Sequence, residues 1–204
     1  MPEYLWTPWR MTYIAGAGNA PSGKGPAQDA VATEGIEESG VMEESTGCVF
    51  CDRIRLPESH DRASLILLRA EHNFVILNLY PYNSAHLMVV PYTHTADFVA
   101  LPTETVVEMM ALAQKMVRVI QDEYGPQGFN LGMNLGRIAG AGVADHLHMH
   151  VVPRWSGDTN FMPIVGATKV MPELLETTYD RLKARMGSEQ VGEKRGARTR
   201  QHSV

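Results

Sequence analysis

The sequence predicts an α+β domain built on an antiparallel sheet of about five strands, with one long inserted helix and a further helix at the C-terminal end. Three observations lead there: short apolar runs follow one another in meander order, turn residues separate them, and one long stretch repeats its apolar residues at helical steps. With 204 residues and a mixed apolar and charged composition, the chain can bury a single sizeable core.

The first element is an aromatic segment, residues 1–15, in which Trp6, Trp9 and Tyr13 crowd together. Residues 16–46 are rich in Gly, Ala, Ser and Glu and read as a flexible linker. The domain proper spans 47–186, C-terminal extension included. Strand-like runs begin with Leu65-Ile66-Leu67-Leu68 and continue with Phe74 to Leu79 and Leu87 to Val90. Pro81, Asn83 and Ser84 make the last two a hairpin. Val106, Met109, Met110, Ala113, Val117, Ile120 and Tyr124 then mark a helix, with Thr105 and Glu108 spaced as a capping box and Gly125-Pro126 as its stop. Two further extended runs, Phe129 to Leu135 and His146 to Val152, flank a glycine-rich loop. A last helix is predicted from Pro172, carrying Leu174, Leu175, Leu182 and Met186, and residues 187–204 read as a disordered charged tail.

A net charge of −5 argues against a broad electrostatic footprint for nucleic acid polymers and leaves room for a local pocket that takes a small anion. No apolar run reaches membrane-spanning length, and the N-terminus lacks the pattern of a signal peptide, so a cytoplasmic protein that does not engage membranes is expected.

In His146-Leu147-His148-Met149-His150-Val151-Val152, histidine alternates with apolar residues, so a strand there places all three imidazoles on one face and Leu147, Met149 and Val151 on the other. Such a row suits a metal, a polar sheet face or a nucleophile. Gly136, Gly140 and Gly142, just before it, favour the nucleophile, because glycines of that density let backbone N–H groups approach phosphate oxygens. Imidazole is neutral near pH 7, attacks phosphorus and departs readily, which suits phosphoryl or nucleotidyl transfer.

Cys48 and Cys51 are the chain's two cysteines, and C-x-x-C spacing fits a metal, a redox dithiol or two plain cytosolic thiols. No βαβ pattern surrounds them, which argues against a thioredoxin-like role. His60, His72 and His202 stand in polar or terminal contexts and read as surface residues.

The run His146 to Val152 meets every position of the H-φ-H-φ-H-φ-φ signature, φ being apolar, and the chain resembles the histidine-triad family from about Cys48 to Asn160. The segment Leu77 to His86 is similar to the family's ribose-binding strand and turn, with Ala85 where glycine is commoner. The resemblance implies a covalent nucleotidyl intermediate on His148, with His150 contacting phosphate and the departing oxygen and His86 as a further catalytic histidine. It implies Asn78 as a ribose partner, and Asn134, Gly140, Ala141 and Gly142 as phosphate-side contacts. Ala141-Gly142 departs from the Gln or hydroxyl residue usual in that loop, so one phosphate hydrogen bond must come from backbone. Members with the cysteine pair bind structural zinc through two cysteines and two histidines, here Cys48, Cys51, His94 and His146; a closed tetrahedral site leaves no place for water. No Mg²⁺ is demanded by the motif.

The N-terminal Leu5 to Met11 and the segment Pro153 to Phe161 resemble those of bacterial members grouped with diadenosine tetraphosphate phosphorylases. The resemblance thus implies a nucleotide substrate, most specifically diadenosine tetraphosphate, with phosphate as acceptor. Histidine rather than glutamine at position 150 is shared with hydrolase-type members, so hydrolysis of dinucleoside polyphosphates or nucleoside phosphoramidates is the alternative, and a non-catalytic nucleotide-binding module a second. Trp155 offers an indole face for stacking a base, and Lys169 a cation for a distal phosphate or simply a surface charge. Family members commonly pair into homodimers through one continuous sheet.

Overall fold

The structure, a computed structural model, describes residues 45–158 and 173–200, with side chains described to residue 188. The aromatic segment 1–15, nearly all of the linker 16–46, Lys169, Pro172 and His202 lie outside the described residues.

Helix α1 (Val49–Arg55) follows Cys48 directly, and a 3₁₀ turn and short helix α2 (Asp61–Ser64) lead into the sheet. The strands are β1 (Ile66–Arg69), β2 (Asn73–Leu77), β3 (Leu87–Pro91), β4 (Gly128–Met133) and β5 (Met149–Arg154). Helix α3 (Thr103–Tyr124) is inserted between β3 and β4, and α4 (Leu175–Arg200) closes the described chain. The five strands form one antiparallel sheet in the order β1-β2-β3-β5-β4, the α+β class expected. β2 and β3 are buried at every position, as apolar runs without polar alternation require.

Register decides where chemistry can happen. β2 and β3 pair from Asn73↔Pro91 to Leu77↔Leu87, and β3 pairs with β5 through Met88↔His150. The β2–β3 turn therefore lies beside the middle and end of β5, which sets His86 against His150 although some sixty residues separate them, while His146 lies at the far end of β3 beside Pro91. The strand predicted from His146 begins only at Met149. Pro91 ends β3, and beyond it the Leu147 N–H donates to Thr95 O while the His146 side chain takes Pro91 O, so the ladder cannot continue. Leu147, Met149 and Val151 are buried, as the alternation predicts.

Two expectations for α3 need correction. Its core face is Met109, Leu112, Ala113, Met116, Val119 and Ile120, a stripe rotated from the predicted one, and Met110 points to solvent. Thr105 and Glu108 form no capping box, because the helix begins at Thr103 after Pro102 and Thr105 already lies in the first turn. Glu108 instead accepts the backbone N–H groups of Glu71 and His72 and the Asn73 amide, fastening α3 to the β1–β2 turn. Burial alone would raise its carboxyl pKa; those three residues' hydrogen bonds outweigh burial and hold it below the usual value. Gly125, at φ 57°, ends α3 as predicted.

α4 packs through Tyr179, Leu182 and Met186, whereas Leu174, predicted to lie in it, precedes the helix and is exposed. Glu173 accepts Tyr124 Oη–H at 2.6 Å and Thr178 Oγ1–H at 2.7 Å and pairs with Arg181, which also pairs with Glu123. The helix runs to Arg200, through a stretch in which Glu, Gln, Lys, Arg and Ala alternate with Gly187, Gly192 and Gly196.

Candidate active site

Cys48, at the N-cap of α1, and Cys51, one turn on, project toward His94, beyond β3, and His146, ahead of β5. The four ligand atoms lie within 4.8 Å of one another. His146 Nδ1 is 3.3 Å from Cys48 Sγ, 3.5 Å from Cys51 Sγ and 3.2 Å from His94 Nδ1, and Cys51 Sγ is 3.4 Å from His94 Nδ1. Those are four of the six edges of a tetrahedron about a common centre, spacings of the order that one metal with nitrogen and sulfur ligands at about 2.0–2.3 Å requires. His146 Nε2–H donates to Pro91 O at 2.9 Å, which fixes the tautomer and turns the Nδ1 lone pair to that centre. The four residues are positioned to bind a metal. Without one, burial and the neighbouring Cys48 push the Cys51 thiol up to about 11, so binding must displace its proton.

His148 lies two residues on and is buried. Its Nδ1 is 2.9 Å from the His146 carbonyl, which can only accept, so the proton sits on Nδ1 and the lone pair on Nε2. Burial draws its pKa below the ordinary histidine value, against the opposing pull of that hydrogen bond, and the ring is neutral at pH 7. A buried neutral imidazole with an oriented Nε2 lone pair is a competent nucleophile.

Beside it runs a relay of defined polarity. The Tyr82 N–H donates to His86 Nδ1 at 3.0 Å, so His86 carries its proton on Nε2. His86 Nε2 is 3.0 Å from His150 Nδ1 and donates to it, which leaves the His150 proton on Nε2. His150 thus presents an N–H where His148 presents a lone pair, with ring centroids 4.9 Å apart. Burial, then the neighbouring His148, hold the His150 pKa down to about 4.

The rings of His94, His146, Phe50, His148, His150, His86 and Tyr82 follow one another at centroid spacings between 4.9 and 5.4 Å, so the histidine row joins the metal ligands to the relay. Sequence reasoning took all the histidines of this row and missed Phe50 and Tyr82. Phe50 carried a local signal, its place between two cysteines; Tyr82 carried none, since its contact with His86 depends on the turn. That turn is pinned by Asn83 Nδ2, which donates to Pro153 O and to Asp158 Oδ2. The Arg154 guanidinium, bonded to Asp158, holds that carboxyl well below the usual range.

The remaining predicted residues surround this core. Asn78 leads out of β2: its Oδ1 accepts the Tyr80 N–H at 2.9 Å, and its Nδ2 lies 3.4 Å from His86 Nδ1. Asn134 Nδ2 reaches Gly140 O at 3.4 Å across the base of the glycine loop. Gly136 and Gly140 have φ of 83° and 91°, conformations that favour glycine, whereas Gly142 has an ordinary φ and Ala141 is buried. Trp155 is half-buried, and its backbone N–H donates to Asp158 Oδ2.

The comparisons with known proteins agree with this geometry. A model of the HIT domain matches residues 60–157. The AP-4-A phosphorylase of Mycobacterium tuberculosis is 41% identical over 176 residues, covering 86% of this chain and 80% of that protein. Adenosine 5'-monophosphoramidase HNT1 of Candida albicans is 27% identical over 117 residues, 55% of this chain and 74% of that one. Among solved structures, a Zn-bound histidine triad family protein from Mycobacterium smegmatis superposes with a TM-score of 0.57 at 30% identity, over 71% of this chain and 96% of that one. The chain belongs to the histidine-triad (HIT) family. It is an enzyme of that family, a nucleotide hydrolase or transferase.

Proposed function

We propose that the protein is a diadenosine tetraphosphate phosphorylase working through a nucleotidyl-His148 intermediate. The observation that carries this reading is the opposite polarity of two adjacent imidazoles, a lone pair on His148 Nε2 and a proton on His150 Nε2. His148 Nε2 attacks an α-phosphorus; a P–N bond forms, the P–O bond to the remaining chain breaks, and ATP departs with His150 donating to its oxygen. Inorganic phosphate then attacks the same phosphorus, the P–N bond breaks, and ADP leaves with the His148 lone pair restored. Charge on the non-bridging oxygens meets backbone N–H groups of the Gly140–Gly142 loop and Asn134, while Asn78 takes a ribose hydroxyl and Trp155 a base. The 41% identity to the M. tuberculosis enzyme supports phosphate as the acceptor.

Hydrolysis is the second reading, favoured by His150 and by the likeness to a phosphoramidase. Incubation with diadenosine tetraphosphate, with and without inorganic phosphate, separates the two on ion-exchange chromatography. Phosphate-dependent ADP plus ATP establishes phosphorolysis; AMP plus ATP without phosphate makes the protein a hydrolase. If His148→Ala turned over as wild type does, the nucleophile would be another group.

The metal is zinc, in a structural role: two thiolates with two imidazoles form a closed tetrahedral set suited to that ion. Both cysteines are unbridged, and the cytoplasm keeps such thiols reduced and available. The enzyme acts as a homodimer, a reading supported by the exposed edge strand β4 with Leu131 on its surface. Sedimentation at a mass near that of one chain would reject it.

A further inference from the structure

We propose that Phe50 is a positioning residue for His148, through which the metal-bound helix α1 sets the orientation of the nucleophile. Phe50 stands between Cys48 and Cys51 and is buried at 3% exposure. Its ring meets the edge of His146 at a centroid distance of 5.4 Å and 75°, and lies tilted against His148 at 5.2 Å and 49°.

One hydrogen bond does not fix an imidazole. The bond from Nδ1 to the His146 carbonyl lets the ring rock about its N–H···O line, and in-line attack on phosphorus needs Nε2 held to a fraction of an ångström, since a misplacement of about 1 Å costs about 100-fold in rate. The phenyl ring supplies a second constraint, closing one side of the space in which His148 turns.

Its own place is determined independently of the substrate. α1 is tied at its start by Asp52, which accepts hydrogen bonds from Ser45 Oγ and from Thr46 N and Oγ1. At its end Arg69 donates to Ile54 O and Leu56 O while paired with Asp61. A metal held by the two cysteines would lock the intervening turn against His94 and His146. A closed site that never meets substrate thus acquires a bearing on catalysis.

The proposal rests on His148 as nucleophile, and its test separates the two claims by reading the ring directly. In the metal-loaded enzyme, two-bond ¹H–¹⁵N spectra report the His148 tautomer and its exchange broadening, metal analysis reports occupancy, and steady-state kinetics report kcat and KM. Phe50→Leu keeps most of the volume without the ring. It is expected to retain metal and a KM within about 3-fold, to broaden the His148 signals, and to lower kcat by about 10- to 100-fold. Phe50→Tyr restores a ring and is expected to recover the sharp His148 spectrum and most of kcat. Metal-loaded Phe50→Leu with an unaltered His148 spectrum and unaltered kcat would overturn the proposal. So would loss of metal from Phe50→Leu, which would assign the residue to the metal site alone, or failure of Phe50→Tyr to recover either reading. The spectrum stands even if His148→Ala showed that turnover uses another nucleophile.

Discussion

His86 Nε2 lies 3.0 Å from His150 Nδ1, and the Tyr82 backbone N–H on the far side of His86 gives that contact its direction. Removing His86 leaves His150 free to take either tautomer. His86→Phe keeps a buried ring at this fully enclosed position and is expected to lower kcat by about 100-fold with KM changed far less, the lower end of what a positioned acid contributes. Steady-state kinetics on the preferred dinucleoside polyphosphate check this. A loss confined to KM would show that His86 shapes binding rather than the departing group's proton.

Acid sensitivity follows from the same relay. The His150 pKa of about 4 in the folded protein lies below the unfolded histidine value of about 6.5, so the unfolded chain binds more protons between those limits. The contribution is fully present above pH 6.5, is lost as pH falls toward 4, and levels off below that. It amounts to at most about 3 kcal/mol, less for the water that reaches the half-buried ring. Denaturant melts across pH 4 to 7 are expected to show stability falling with acid, and His150→Asn to flatten part of that slope. Identical slopes in the two proteins would remove His150 as a source.

Much of this was legible in the sequence because the information was local. Alternation at residues 146–152 predicted the burial of Leu147, Met149 and Val151. The cysteine spacing left a metal, a redox dithiol and plain thiols open, and the resemblance to the histidine-triad family implied the four-residue metal set that the structure assembles. The failures involve partners distant in the chain. Glu108 has the spacing of a capping box, yet its partners are Glu71, His72 and Asn73, which only the packing of α3 against the β1–β2 turn brings within reach. The His86–His150 contact depends on β3–β5 register, and no periodicity encodes which strands pair.

The metal set makes a prediction about protons. Because Cys51 is pushed to about 11 in the metal-free protein, its proton must leave when metal binds. Loading zinc into protein stripped by chelator is expected to release about two protons near pH 7, to weaken as pH falls, and to raise the melting temperature by at least about 5 °C. Calorimetric titration in buffers of different ionisation enthalpy counts the protons. Unchanged zinc stoichiometry in a Cys48→Ser, Cys51→Ser double variant would place the metal elsewhere.

Ala85 occupies a position where backbone conformation and catalysis meet. Its φ of 60° is left-handed, its side chain is buried, and it immediately precedes His86. For a residue with a Cβ that conformation costs about 1–2 kcal/mol, which explains why glycine suits the turn. Glycine would relieve that cost but adds about 0.4–1 kcal/mol of unfolded-state freedom and gives up part of the roughly 0.8 kcal/mol that a buried methyl contributes. The terms nearly cancel, so Ala85→Gly is expected to stay within about 1 kcal/mol of wild type, and alanine is tolerable here for the same reason. Ala85→Val has no such compensation: a β-branched side chain is a true outlier at positive φ and must force the turn open, costing about 2 kcal/mol or more. Because the Tyr82 N–H and His86 belong to that turn, kcat should fall with stability in Ala85→Val and hold in Ala85→Gly. Urea midpoints and kcat measured together decide it, and a valine variant as stable and as active as wild type would mean that the turn is not held in the left-handed conformation in solution.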